Sequence, residues 1–509
     1  MNVNTKNTKN QAQERNSEKL TRAELRRRQK AEAKMEKSKV KKKITVKSPK
    51  TQEQEVLLQD AEAIFKNLKS YTWRDLETNG KFSKNDKLSF ISDDMLIVGC
   101  DVGSETHYIR AIDTRGRELS RKAFAFDNNE EGFQKAKEWS VELAVRNGKD
   151  QIVLGLEPTG HYWFVLAAWM VANGVSVVQV NPYAVKQTKE LEDNSQQKDD
   201  TKDPKLIANL VKDGNYGMPY LPEGVYADLR RLSMFRDQLT EDRIRNINRL
   251  HREMKIYFPE YREAFGKLDG AFSIRLLKKA PFPKDILELG EAGIRNIWKE
   301  ARLRGRGYSK AGEIVRLAKE SVGLNDGMEA GKAAVKWFAE KIEELTEQLS
   351  DIENRLHQKC REIPYAENIL EISGIGENIL AGILAEMGDI DRFDDVKEIQ
   401  KLSGLGLVAC SSGKHKGETR ISHRGRKRLR YWLFQAAKSA VSHAGEFKML
   451  HAYYTTRADN PLKKMQSLIV IACKILRVIY TILKKGIRYD PEKMLKDIRI
   501  PTSRQPVAA

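Results

Sequence analysis

Short apolar runs alternate with helical spacing between residues 95 and 213. The runs at 96–100 and 108–112 are rich in β-branched and apolar residues and are separated by a polar turn at Gly103, which predicts a β-hairpin. Three strands, then helix–strand–helix–strand–helix, predict an α/β domain with a mixed sheet. The further predicted strands are 123–126, 151–156 and 175–180, and the predicted helices are 130–147, 162–172 and 203–212.

Helical spacing dominates after residue 219. Residues 225–260 form a predicted helix with an apolar stripe and many arginines, which suit either a solvated face or contacts with a nucleic-acid backbone. Residues 335–363 carry the a/d spacing of a coiled coil, which predicts packing either against a second copy or within the chain. The seam residues are Ile342, Leu345, Leu349, Ile352 and Leu356.

Residues 369–390 contain a Gly374-Ile375-Gly376 turn between two apolar segments. This pattern predicts a helix-hairpin-helix, in which glycines let backbone N–H groups approach a phosphate at a helix N-terminus. The alternative is a tight αα-hairpin that binds no ligand. Further helices are predicted at 429–444 and 461–485.

The chain has 509 residues and a formal net charge of +20. Residues 1–50 hold 17 Lys/Arg and 5 Asp/Glu with little apolar content, so we expect a disordered basic arm. Such an excess of basic residues indicates a polyanionic partner, most often nucleic acid. Four scattered cysteines fit a reducing cytosol, and no apolar run reaches about 18 residues, so we expect a cytoplasmic protein with no membrane span.

Four carboxylates are candidate metal ligands. Asp101 ends the first strand and Glu157 follows the strand 151–156, and ligands of open α/β sheets bind at the carboxyl ends of strands. Asp200 and Asp203 are three residues apart at the start of a helix, where both can face one point. Four converging acids suit two Mg²⁺ ions about 4 Å apart, as in phosphodiester cleavage. The alternatives are a turn-capping Asp101 and helix N-capping by Asp200 and Asp203, the latter with Pro204 as the first helical residue.

A polar loop within 402–431 contains Ser411-Ser412-Gly413. From Lys414 to Arg430 there are eight Lys/Arg and one Glu, and such cations stabilise a serine alkoxide and the phosphorane that it would form. These residues alone do not distinguish a nucleophile from an ordinary surface serine. The candidate DNA contacts are Gly374, Gly376, Lys414, Lys416, Arg420, Arg424, Arg426, Lys427 and Arg428.

The order Asp101, Glu157, Asp200, Asp203 on β–β–β–α–β–α–β–α resembles the RuvC-like (RNase H-like) nuclease fold with a DEDD set. The sequence motifs GCDVG, LEPTGHY, VNPYAVK and KDDTKDPKLIA are similar to those of the insertion sequence 110 family of transposases. Ser104-Glu105 departs from the family, which often has a lysine there. The C-terminal resemblance covers 365–490 and includes Gly374–Gly376, Ser403–Leu405, Ser412-Gly413, Gly417–Ser422, Gly425 and Leu429-Arg430.

The resemblance implies a DNA recombinase in which Ser412 forms a covalent link to a DNA phosphate. Ser411 is the alternative nucleophile, because the loop is about one residue shorter than is usual in the family. The resemblance also implies Mg²⁺ at Asp101, Glu157, Asp200 and Asp203, dimers or tetramers, and a structured bridge RNA that pairs with donor and target DNA. Base pairing would then read the sequence, and the protein would contact shape and backbone. A prokaryotic, nucleoid-associated location follows from the same resemblance.

The resulting prediction is a RuvC-like α/β domain joined to a mostly α-helical C-terminal transposase domain. The segments are a basic arm and linker (1–90), the DEDD domain (91–218), a helical coiled-coil connector (219–364), the transposase domain (365–495) and a tail (496–509). The expected activity is excision and insertion of an insertion sequence by DNA strand exchange. Two alternatives are a junction endonuclease that uses the four acids and water, and a nucleic-acid-binding protein without activity.

Overall fold

The computed structural model describes residues 84–496, apart from 159, 193–201, 304, 409–410, 413–414 and 417–418. The chain divides into two compact units, whose described parts are 84–219 and 220–496. Most of the predicted basic arm, the predicted tail and Asp200 lie outside the described residues.

The first unit is built on a six-stranded mixed sheet in the order β3-β2-β1-β4-β5-β6. β1 is antiparallel to β2 and parallel to β4, and β4 is parallel to β5. This order joins an antiparallel meander to two parallel strands that are reached through helices, as the sequence pattern predicts. The strands are β1 Met95–Asp101, β2 Thr106–Ile112, β3 Phe124–Asp127, β4 Gln151–Leu156, β5 Ser176–Val180 and β6 Tyr216–Gly217.

Helices connect the strands of this unit. The segment Glu130–Arg146 forms a 17-residue helix. Its N-cap is Asn129, whose side chain accepts a hydrogen bond from the Gly132 amide. The helices are α1 Lys84–Phe90, α2 Glu130–Arg146, α3 Trp163–Ala172, α4 Pro182–Glu192 and α5 Asp203–Lys212. The alternating strand and helix prediction is confirmed, with element ends that differ by one or two residues.

Helix α4 and strand β6 were not predicted. The helix starts with Pro182, and the Asn181 side chain accepts a hydrogen bond from the Tyr183 amide, so Asn181-Pro182 is a helix-start signal directly after strand β5. Strand β6 has two residues and pairs antiparallel with β5, and a pair this short carries no detectable periodicity.

Helix α5 packs directly on the centre of the sheet. Gly99 of β1 and Gly155 of β4 are register partners beneath it. A Cβ atom at Gly99 would lie 1.9 Å from the Pro204 carbonyl oxygen, and one at Gly155 would lie 2.4 Å from Cγ2 of Val211. Two neighbouring glycines therefore let the helix that begins with Asp203 approach the strands that end in the other acids.

The second unit is almost entirely helical. Its helices are α6 Gly224–Tyr257, α7 Tyr261–Phe265, α8 Ala271–Lys279, α9 Pro283–Glu300, α10 Lys310–Lys319, α11 Met328–Arg361, α12 Ala366–Ile369, α13 Glu377–Met387, α14 Val396–Leu402, α15 Lys427–His443, α16 Gly445–Thr456, α17 Lys464–Lys485 and α18 Pro491–Lys496. Short 3₁₀ turns lie at Arg306–Ser309 and Ile390–Arg392, and two short β pairs join β7 Leu407–Val408 to β10 Arg420–Ile421 and β8 Ser411–Ser412 to β9 His415–Lys416.

The two 34-residue helices α6 and α11 pack against each other along their length. One hydrophobic core lies around α7 to α10, and a second joins α6 and α11 to the C-terminal helices. The predicted seam is buried in these cores at Ile342, Leu345, Ile352 and Leu356, and Leu349 is partly buried. The seam therefore packs within the chain, which was one of the two possibilities left open.

Helix α17 has the length and composition of a membrane span, with a mean hydropathy of 1.8 over its most apolar window. The sequence contains no uninterrupted apolar run of that length, because Lys474 and Arg477 lie within the helix. Ile471, Ile475 and Ile479 are fully buried against the rest of the second unit. Its apolar residues are thus accounted for by core packing.

We predict that Gly99→Ala destabilises the first unit by about 2 kcal/mol or more, because the added methyl group meets backbone atoms of α5 that cannot rotate away. Hydrogen exchange measured by mass spectrometry should show faster exchange in peptides from β1 and α5. Gly217→Ala is the matched control, because no atom lies within 4 Å of its added Cβ. Equal exchange in the two variants would contradict this packing.

We also predict an acid-sensitive first unit. His107 is fully buried between Phe126 and Phe133, and burial lowers its pKa below the ordinary value, an effect that Asn128 partly offsets. The unfolded chain therefore binds the proton more readily, so stability is complete above about pH 6.5 and is lost as the pH falls through the lowered pKa.

Urea unfolding at about pH 7.5 and about pH 5.5 tests this dependence. His107→Leu should lose less stability between the two pH values than the wild type. His161→Leu, at an exposed position, should keep the wild-type dependence. A His107→Leu protein with an unchanged pH dependence would show that another group is responsible.

Candidate active site

Three of the four predicted acids come together at one edge of the sheet. Asp101 is the last residue of β1 and Glu157 follows β4, and the pairing of Cys100 with Leu156 in these parallel strands brings the two acids side by side. Asp203 is the first residue of α5, which packs on the same two strands. Asp200 lies outside the described residues.

Negative charge accumulates at this edge. Burial raises the pKa of the Glu157 carboxyl above its ordinary value, and the nearby charges of Asp101 and Asp203 raise it further. Lys189 acts in the opposite direction. The three acids therefore interact electrostatically, although among the described residues no three acidic, His or Cys side chains lie close enough together to hold a metal ion.

Lys189 of α4 supplies a cation to this cluster. Its Nζ lies 2.7 Å from Oδ1 and 3.0 Å from Oδ2 of Asp203, and both side chains are less than one-third exposed. The prediction that Asp203 is the N-cap of α5 was wrong, because Lys202 holds that position and the Asp203 carboxylate bonds to Lys189 instead. Sequence reasoning missed Lys189, and the signal that could have found it is the helix start at Asn181-Pro182.

The chemistry of these side chains fits a divalent cation. Asp101, Glu157 and Asp203 offer hard carboxylate oxygens, the ligands that Mg²⁺ prefers. The pKa of Glu157 is raised first by burial and then by repulsion from Asp101 and Asp203, and a bound cation would relieve this repulsion. Lys189 offsets part of this charge in the present structure.

The base of the predicted serine loop is anchored in the second unit. The Ser422 amide donates to the Gly406 carbonyl, the His423 amide donates to Gly404, and Arg430 donates to the Ser403 carbonyl. Ser411 and Ser412 lie on β8, which pairs with β9. Their side chains lie outside the described part of the structure, as does Lys414, so the choice of nucleophile stays a prediction.

Two of the predicted DNA contacts take part in internal contacts. Arg426 donates to the backbone carbonyl of the buried residue Glu386, and burial next to Arg230 lowers the Arg426 pKa to about 10. Arg428 lies 3.2 Å from Asp237. These contacts fix the end of the loop to α6 and α13, and DNA binding by the two arginines stays a prediction. Arg420, Arg424 and Lys427 are exposed.

The Gly-Ile-Gly turn has two different glycines. Gly374 has a φ of +92°, and a Cβ there would lie 2.7 Å from the Ser439 carbonyl oxygen of α15, so this glycine permits close packing. Gly376 is the N-cap of α13, and no atom lies within 4 Å of an added Cβ. The preceding helix α12 has only four residues, so the predicted helix-hairpin-helix is not established by this geometry.

Several arginines of α6 are paired within the second unit. Arg230 lies 3.4 Å from Glu386, Arg236 lies 2.8 Å from Glu353 on α11, and Arg243 lies 2.7 Å from Asp269. Internal ion pairing therefore accounts for these three arginines, which neither interpretation of this helix (a solvated face or contacts with nucleic acid) predicted.

Comparisons with known proteins agree with this architecture. Residues 98–259 match the family model of a DEDD transposase domain, and residues 366–454 match the model described as the transposase IS116/IS110/IS902 family. The insertion element IS116 44.8 kDa protein of Streptomyces clavuligerus is 24% identical over 78% of this chain and 97% of its own length.

Two further relatives come from other elements. The mini-circle putative transposase for IS117 of Streptomyces coelicolor is 24% identical over 63% of this chain and 79% of its own length. The insertion element IS900 42 kDa protein of Mycobacterium paratuberculosis is 22% identical over 58% of this chain and 73% of its own length.

The mixed sheet, the acids at its strand ends and the two matched regions define a transposase with a DEDD domain, and the sheet is consistent with the RNase H-like fold. Within that class, the chain belongs to the IS110 family of transposases. The predicted family and the general activity, DNA transposition, are therefore confirmed.

We predict that Lys189→Met lowers the melting temperature of the metal-free protein, because Asp203 loses its ion pair next to two other carboxylates. The expected loss is on the order of 1 kcal/mol for a partly buried pair. Differential scanning calorimetry in a chelator measures the change. Lys135→Met is the matched control, since Lys135 pairs with Glu131 on an exposed helix surface. Equal effects of both substitutions would contradict a special role of Lys189.

Proposed function

We propose that this transposase is a bridge-RNA-guided serine recombinase that excises and inserts its element through a covalent serine–DNA intermediate. The observation that carries the proposal is the convergence of Asp101, Glu157 and Asp203 at one sheet edge. A partly buried carboxylate with a raised pKa, such as that of Glu157, is typical of sites that bind metal ions or transfer protons. The proposed substrates are the DNA of the element ends and the target DNA.

In the proposed reaction, Oγ of Ser412 attacks a DNA phosphorus atom. The Oγ–P bond forms, the bond from phosphorus to one DNA oxygen breaks, and the proton lost by the serine is balanced by one taken up by the leaving DNA hydroxyl. Strand transfer reverses these steps with a different DNA hydroxyl. Mg²⁺, when bound, would neutralise charge on the phosphate oxygens. The residues that would hold it are Asp101, Glu157, Asp200 and Asp203.

The basic loop residues support the serine in this proposal. Lys414, Lys416, Arg420, Arg424 and Lys427 are placed by sequence around Ser412, and cations next to an attacked phosphate stabilise developing negative charge. Arg426 and Arg428 keep the loop in place through Glu386 and Asp237.

The partners in this proposal are DNA, a structured bridge RNA and further copies of the chain. RNA guidance would leave sequence recognition to base pairing, which suits a protein rich in basic helices. We propose dimers or tetramers in which the serine region of one copy completes the acidic site of another. Gly374 and Gly376 are proposed to help the α12–α13 turn contact the DNA backbone.

We predict that Ser412→Ala abolishes the covalent protein–DNA adduct and strand exchange. Supercoiled element DNA, Mg²⁺ and RNA transcribed from the element flanks are incubated with the protein, and adducts are read on denaturing gels. Ser411→Ala is the matched control and should retain the adduct. Asp101→Asn should lose adduct formation and also lose thermal stabilisation by Mg²⁺.

Three outcomes would each contradict a part of this proposal. DNA cleavage without an adduct in Ser412→Ala, at the wild-type rate, would mean that water attacks the phosphate. An adduct that persists in Ser412→Ala and disappears in Ser411→Ala would move the nucleophile by one residue. Strand exchange by Asp101→Asn at the wild-type rate would remove the acids from the reaction.

A further inference from the structure

An open groove of 620 Å³ lies on the surface of the second unit. It is bounded by one face of α17, by residues 394–396 before and in α14, and by residues 487–494 around the start of α18. None of the predicted catalytic, metal-binding or DNA-binding residues lines it. Its volume is within the range of about 300–1,000 Å³ that is usual for ligand pockets.

A basic stripe runs along the floor of this groove. Lys474, Arg477, Thr481 and Lys485 follow each other at spacings of three, four and four residues, so they share one face of α17. At about 1.5 Å per residue this stripe is about 16 Å long. Arg488 and Lys493 line the groove from the neighbouring segment, where Arg488 pairs with Glu371 and Lys493 pairs with Asp490.

Two of the acidic residues of the groove cap helices, and Asp490 also lies 3.8 Å from Lys493. Asp395 caps α14 by accepting a hydrogen bond from the Lys397 amide, and Asp490 caps α18 through the amides of Glu492 and Lys493. Carboxylates at helix N-termini are partly compensated by the helix dipole. Arg477 and Lys485 are exposed, and within the described chain neither takes part in an ion pair.

Two tyrosines give the groove fixed aromatic surfaces. The Tyr480 hydroxyl donates to the Asp394 carbonyl at 2.7 Å, and the Tyr489 hydroxyl donates to Oε1 of Glu446 at 2.8 Å. Both rings are therefore held in place from below. A row of cations beside ordered aromatic rings is the combination that binds single-stranded nucleic acids, with phosphates on the cations and bases on the rings.

We propose that this groove binds a single-stranded nucleic-acid segment, with phosphates along Lys474, Arg477 and Lys485. Five cations and three carboxylates line the groove, so its net positive charge favours a polyanion, and its size accommodates a few nucleotides. The inference rests on the proposed function only in assuming that the chain meets single-stranded RNA or DNA, and it assigns the groove no part in the chemical step.

Fluorescence anisotropy with labelled strands of about 12 nucleotides tests the proposal, with RNA, DNA and duplex DNA as separate probes. The double variant Arg477→Glu/Lys485→Glu should raise the Kd for a single strand at least about tenfold. Loss of two phosphate contacts should also reduce the slope of log K against log salt by about 1.4. The RNA and DNA arms identify which strand is the ligand.

The matched control is Arg316→Glu/Lys319→Glu, which makes the same charge change at exposed positions on α10. It should leave the Kd within about twofold of the wild type, because only distant charge changes. Equal weakening of strand binding by both double variants would contradict the proposal that the groove is the binding site, since a general loss of positive charge would then explain the result.

A second variant, which should bind the strand more tightly, keeps the test valid if the charge reversals at Arg477 and Lys485 disturb folding. Asp394→Asn removes an acidic group that lines the groove and should tighten single-strand binding about two- to threefold. Unchanged or weaker binding would overturn the proposal.

Two other occupants are outcomes of the same experiment. Anionic phospholipid vesicles that bind the wild type and lose binding in the groove double variant, with no effect on oligonucleotides, would assign the groove to a membrane surface. Loss of strand binding after deletion of residues 497–509 alone would assign the strand to the tail. The acidic site and the groove are tested separately. A groove variant that loses strand binding should still gain thermal stability from Mg²⁺, and Ser412→Ala should still bind the strand.

Discussion

Helix α5 can lie directly on the sheet because Gly99 and Gly155 carry no side chains. These two residues are neighbours in parallel strands, and a methyl group on either would collide with the helix. The contact places the first residue of the helix beside the ends of β1 and β4. The proximity of Asp203 to Asp101 and Glu157 therefore depends on a packing contact that itself contains no charged group.

The energetic balance of the acidic edge follows from that contact. Three carboxylates in a partly buried site repel each other, which raises the pKa of Glu157. Lys189 makes the metal-free arrangement tolerable through its bidentate ion pair with Asp203. A site that binds a divalent cation needs such an excess of negative charge, and the lysine limits what that excess costs the fold before a cation binds.

The second unit uses its basic residues in two ways. Arg230, Arg236 and Arg426 lie against carboxylates or carbonyls and hold long helices and the loop base together. Arg477 and Lys485 project from α17 into an open groove. The net charge therefore indicates a polyanionic partner for the chain. The surface that binds this partner is the one whose basic side chains are not paired with carboxylates of the same chain.

Strand and helix periodicity in residues 95–213 determined most elements of the mixed sheet and two of the three assembled acids, because strand ends can be read from apolar runs. The order of the strands came from the tertiary structure. Spacing also marked Asp200 and Asp203 as candidates but did not distinguish metal ligands from helix caps. The family resemblance favoured the metal-binding role for them and a nucleophilic role for Ser412. Only the tertiary structure showed three further features. These are the ion pair of Asp203 with Lys189, the packing of the coiled-coil seam within the chain, and the internal ion pairs of Arg426 and Arg428. Each of these features depends on side chains that are separated in sequence, such as Lys189 and Asp203 or Arg428 and Asp237. No local sequence pattern encodes such pairs.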